Sequence, residues 1–125
     1  MGIELEEKTM LTSEGGVAVL LTAAEAIVKG NLVKISILAD ASVLLSTAAT
    51  LVYGVAYQGG STSETIYIVV AGVAECLTYD AVRTGRLVYA SNGHECLITE
   101  TVNGDAIGVA LDTVNSSTLC RIILF

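Results

Sequence analysis

The stretch DAVRTGRLV, Asp80 to Val88, has a second copy upstream in EAIVKGNLV, Glu25 to Val33, and their glycines, Gly85 and Gly30, stand 55 positions apart. Each copy opens on an acidic residue, places a β-branched residue two positions on, and closes on Gly-x-Leu-Val. A further pair of blocks follows at nearly the same interval: Tyr53, Gly54, Val55, Ala56 and then Ile107, Gly108, Val109, Ala110. The chain reads as one supersecondary unit used twice, with pseudo-repeats over about 17–70 and 72–125. Repetition of a glycine inside a strand-like run points to a bulge or a close backbone approach. Gly30, Gly54, Gly85 and Gly108 are therefore expected to be structural glycines.

Around these anchors the pattern is that of strands. Val33, Ile35 and Ile37 alternate with Lys34 and Ser36, and Ile66, Ile68 and Val70 alternate with Thr65, Tyr67 and Val69, as a period of two requires. Strands are expected at Val17 to Leu21, Asn31 to Leu38, Ser42 to Leu45, Leu51 to Tyr57 and Glu64 to Val70. Ala71 and Gly72 are read as a turn into a strand at Val73 to Leu77, followed by strands at Arg86 to Ala90, Glu95 to Glu100, Ala106 to Leu111 and Leu119 to Phe125. Asn92 followed by Gly93 between apolar runs is a hairpin signal, because both positions accept the positive φ of a type I′ turn. Helical periodicity is absent outside the Glu25 and Asp80 segments, each a compact turn or one helical turn. The expected fold is all-β, a compact β-barrel or β-sandwich built from an internally duplicated unit, with one or two short helical turns.

The 125 residues suit a single domain with a substantial core. The sequence is 53% hydrophobic and 15% charged, well below the roughly 25% charged residues of an average soluble domain. Few charges on so apolar a chain suggest that neighbouring subunits cover part of its surface, since large apolar patches are rare on soluble monomers. Thirteen acidic against six basic residues give a net charge of −7, which opposes nucleic-acid binding, where Lys and Arg on phosphate supply most of the affinity. The uncharged interval from Ala41 to Ser63 is long enough to cross a bilayer as a helix, but its Ser, Thr and Gly content and its match to the Ile107 block make it strand, loop and strand. Neither a targeting peptide nor a membrane partner is expected.

Cys76, Cys96 and Cys120 lie far apart in apolar surroundings and read as small buried hydrophobes. The single histidine, His94, precedes Glu95 and Cys96, yet neighbours on a strand face opposite ways and cannot share a site without a bulge. No Gly-Lys-Ser or Gly-Lys-Thr ends a glycine-rich loop to cradle phosphate, and the acidic residues lack the density of a calcium loop. The expectation is a protein that is not an enzyme and has no catalytic residues, cofactor or metal.

In order and spacing, Gly72, Val73, Ala74, Glu75, then Asp80, Ala81, Gly85, Leu87, Val88, Tyr89, then Ile107 to Ala110 and Arg121 to Leu124 resemble the bacteriophage capsid cement, or head decoration, family. That resemblance implies a small β-domain that trimerises, binds the major capsid protein on the outer surface of the virion and stabilises the shell. A tail, baseplate or ring component is the rival structural reading, and a nucleotide-binding protein or enzyme has less support. Residues 1–16 are read as an N-terminal arm set off by Gly15 and Gly16 from a β domain over 17–125. Ile3 and Leu5 alternate with glutamates, as a strand added to a sheet edge would. Ile3, Leu5, Met10 and Leu11 are the candidate contacts to the capsid or to a neighbouring subunit.

Overall fold

The structure, a computed structural model, describes residues 9–47, 52–91 and 94–125, and of His94 and Glu95 the backbone only. It is all-β, and the described residues include no helix. The strands are β1 (Thr9–Leu11), β2 (Gly16–Ala23), β3 (Leu32–Ile35), β4 (Ser42–Leu45), β5 (Gly54–Ala56), β6 (Thr65–Leu77), β7 (Leu87–Ser91), β8 (His94–Thr99), β9 (Gly108–Ala110) and β10 (Leu119–Leu124). The Glu25 and Asp80 segments are turns, tied down by paired bridges of Ile27 with Gly60 and of Val82 with Val114.

Two small barrels share one strand. In the first lobe β2 pairs with β4 in parallel, and antiparallel pairs β4–β3, β3–β5, β5–β6 and β6–β2 return the ladder to its start. In the second, β6 continues through β10, β9 and β7 to β8. A parallel bridge of Thr78 with Ile98 brings that ladder back to the end of β6. The registers correspond residue by residue. Leu32 faces Val55 and Val33 faces Gly54 in one lobe, as Leu87 faces Val109 and Val88 faces Gly108 in the other. Turn bonds repeat as well: the Gly30 amide donates to Ala56 O at 2.9 Å and the Gly85 amide to Ala110 O at 2.8 Å. The duplication seen in the sequence is thus a duplication of backbone hydrogen bonding.

Each lobe has its own apolar filling. Ala23, Ile27, Val33, Val43, Ala56, Ile66 and Ile68 fill the first. Their counterparts, Val82, Val88, Ile98, Ala110, Cys120 and Ile122, are buried in the second, where Thr78 takes the place of Ala23. The Thr78 hydroxyl costs nothing unpaired there, because it bonds to the carbonyls of Asn115 and Thr118, both at 3.0 Å. Burial of each such Val, Leu or Ile stabilises by roughly 1.5 to 3 kcal/mol.

Two expectations are corrected. Ala71 and Gly72 do not turn the chain, because β6 runs unbroken from Thr65 to Leu77. Gly72 instead kinks that strand at φ +79°, where a Cβ would lie 2.4 Å from Gly15 O, and the pairing with β2 slips by one residue between Val17 and Ala18. Close approach of two backbones at Gly72 converts what looks like a break into a bulge. Nor does Ile37 share a buried face with Val33. β3 ends at Ile35, a Ser36 to Ser42 backbone bond closes the loop, and Ile37 is 96% exposed.

Elsewhere the strands fall close to their expected places. β7 and β8 pair with Ser91 opposite His94, while Asn92 and Gly93, the expected turn, lie outside the described residues. The interval Ala41 to Ser63 holds β4 and β5, and no described helix is long and apolar enough to cross a membrane.

Candidate interaction surface

Two apolar surfaces stand out among the described residues. The first is a groove of about 560 Å³ beside the β3–β4 hairpin, lined by Lys34, Ile35, Ile37, Leu38, Leu44, Val52 and Tyr53. It is built because β3 ends early: the 36–41 segment then carries Ile37 and Leu38 outward, the latter 89% exposed, and Ala41 turns back at φ 50° to enter β4.

The second surface exists because the lobes dock asymmetrically. Outward-facing Leu32, Val55 and Val69 of the first lobe are fully buried against the second. Gly30 sits in this contact, where a Cβ would meet Leu119 Cδ2 at 2.6 Å and Leu77 N at 2.8 Å. Its carbonyl accepts the Leu77 amide at 2.9 Å, and Lys29 Nζ pairs with Glu75 Oε1 at 3.2 Å. On the second lobe the matching positions are open. Leu87 and Ile123 are 45% and 44% exposed, and a Cβ at Gly85 would meet nothing within 4 Å.

Around that open face stand Arg83, Arg86 and Arg121. Arg83 pairs with Glu100 and Arg121 with Asp112. Arg121 holds Asp112 through its side chain and its amide, and these bonds pull the Asp112 carboxyl below its ordinary range. Desolvation opposes the same shift at Glu100, but bonds from the Arg83 side chain and amide outweigh it and lower that carboxyl too. Burial raises the Cys76 thiol well above its usual value, and Cys120 is raised for the same reason. None of the three cysteines is in a disulfide; Cys76 and Cys120 are buried and Cys96 partly so.

The candidate contacts divide. Ile3 and Leu5 lie outside the described residues. Met10 and Leu11 lie in β1, paired to β2 of the same chain. Met10 packs against the core and Leu11 is 81% exposed. The four glycines occupy matched places: Gly30 and Gly85 at φ 90° and 82°, Gly54 and Gly108 with carbonyl oxygens of Val69 and Ile123 at 2.5 and 2.3 Å from where a Cβ would stand. Among the described residues no group of three or more His, Cys, Asp or Glu is placed to hold a metal ion. The groove does not show in the sequence, because alternation places Val33, Ile35 and Ile37 on one face of a strand over Asn31 to Leu38, whereas β3 ends at Ile35.

Fold and surface define a two-lobed β-barrel protein whose most prominent features are apolar faces rather than a cleft of polar groups. No family model and no curated protein matches the sequence. Among solved structures the fold is similar to that of the head fiber gp8.5 N base of bacteriophage phi29, with a TM-score of 0.71 and 11% identity over 86% of this chain and 92% of that one. At that identity the likeness shows a shared fold.

Proposed function

We propose that this chain is a structural virion protein that binds the major capsid protein on the outer surface of a phage head and stabilises the shell, as cement or decoration proteins do. The observation that carries the reading is the fold likeness to the base of a phage head fiber across nearly the whole of both chains. It agrees with the resemblance carried by the Gly72 to Tyr89 and Ile107 to Ala110 motifs. On this reading the protein acts by binding alone, with no catalytic step and no cofactor, and assembles with itself, as a trimer, through apolar surface that few charges protect. A second reading, a fiber, tail or baseplate component, is favoured by the same likeness, since that neighbour is described as a fiber base.

Purified protein mixed with expanded heads, and separately with tails, tests the assignment. Saturable co-sedimentation with heads, together with greater resistance of the heads to heat, is the expected result. Binding to tails alone moves the protein to the second reading, and binding to neither removes both. The same assay run on a chain lacking residues 1–8 tests the arm: weaker head binding with an unchanged melting transition is expected, and unchanged binding would remove Ile3 and Leu5 from the contact.

A further inference from the structure

We infer that the open face of the second lobe, centred on Gly85, Leu87, Val109 and Ile123, docks a second copy of this chain, head to tail, on the outward side of that copy's first lobe. The inference deepens the self-association in the reading above and rests on that part of it, while making no use of capsid binding. Its template lies within the molecule. The registers equate Leu32, Val55 and Val69 with Leu87, Val109 and Ile123, and the first three are buried in one apolar cluster with residues of the second lobe while Leu87 and Ile123 are nearly half exposed. An outward strand face with solvent on it has no need of Leu, Val and Ile, since such faces are ordinarily polar. Here the apolar set persists on both lobes and only one set is covered.

The receiving surface follows from the same correspondence. Inside the chain Lys29 and Gly30, beside the docked face, meet Glu75, Leu77 and Leu119. The counterparts of these three on the first lobe are Leu20, Thr22 and Thr65, which are partly or fully exposed. Thr22 is bonded to the segment carrying exposed Ile37 and Leu38, through its amide and Ala41 O at 2.9 Å. That bond occupies the donor corresponding to the Leu77 amide, so the contact between copies lacks the Leu77 to Gly30 bond and relies on apolar area. Charge contributes little to the direction, because Arg83 and Arg121 beside the open face are already paired with Glu100 and Asp112. Because different surfaces meet, the contact is heterologous and generates a ring where its rotation closes.

Light scattering after size exclusion tests it with three forms of the full chain. Wild type is expected to be an oligomer. Leu87→Asp with Ile123→Asp spoils the open face, Thr65→Arg spoils the receiving face, and each is expected to leave monomers with a wild-type circular dichroism spectrum, since all three residues are exposed. Mixing the two variants restores one good contact per pair, so a 1:1 dimer that grows no further is the expected signature. A monomeric wild type, an unchanged oligomer in either variant, or no dimer on mixing overturns the inference. Should a variant misfold, the milder Leu87→Ser and Thr65→Lys pair carries the same test. Head binding by a monomeric wild type would sink this interface and leave the virion assignment standing.

Discussion

Asp112 performs the task that Gln58 performs in the other lobe. Gln58 Oε1 accepts the Tyr67 amide at 3.0 Å, and Asp112 Oδ2 accepts the Arg121 amide at 3.0 Å. The carboxylate adds what the amide cannot, a two-pronged pairing with the Arg121 side chain at 2.7 to 3.2 Å. Its bonds to Arg121 lower the folded-state pKa, so the unfolded chain takes up this proton first as pH falls. The stabilisation is therefore complete above the ordinary carboxylate range and is lost as pH drops through that range to the depressed folded value. Asp112→Asn is expected to reproduce the Gln58 arrangement, with a small loss of stability at neutral pH and a shallower fall in melting temperature on acidification. Parallel acid-limb melts of both proteins check this; an unchanged acid limb in the variant would remove the ion pair from the account. The loss stays small because the pair is largely in water, where salt bridges contribute little.

At the scale of elements, β3 and β7 carry the same Leu-Val pair into different surroundings. Leu32 is fully buried between lobes and Leu87 is nearly half exposed. Leu32→Ala is expected to cost about 2 to 5 kcal/mol, as for buried leucines generally, and Leu87→Ala under about 1 kcal/mol in dilute protein, read from denaturant melts. Equal costs would contradict the asymmetric docking. Sequence periodicity showed both strands and their repeat, because alternation and Gly-x-Leu-Val are local. It could not show which copy is covered, since coverage depends on how β6 joins the lobes. The same limit explains Gly72: glycine after alanine looks like a turn, and only the opposed Gly15 backbone reveals a kink in a continuing strand. Ile37 failed differently, as an alternating pattern ran past the point where the hairpin loop begins. The apolar groove was illegible for that reason, while the matched glycines at 30, 54, 85 and 108 were readable from repetition alone.

Across the whole molecule, β6 is the element neither lobe can do without. Its first half pairs with β2 and β5 and its second with β10. Gly72→Ala puts a Cβ against Gly15 O at 2.4 Å and asks alanine to hold φ near +79°, two costs borne at the junction. The expected outcome is a single melting transition shifted down as a unit, seen equally by far-ultraviolet circular dichroism and by exposure of Cys120, which lies in the second lobe. Two separate transitions would show lobes that fold independently. Thiol exposure is read in a Cys96→Ala, Cys76→Ala background, where Cys120 is the remaining thiol and is fully buried while folded.

The shared strand also decides how the molecule carries mechanical load. Flexible linkers stretch first when tandem modules are pulled, but here the joint is itself a strand. Tension along β6 is taken by seven residue pairs with β2 and five with β10, all strained sideways at once rather than peeled one by one. Force along this strand therefore passes through the ladders of both barrels.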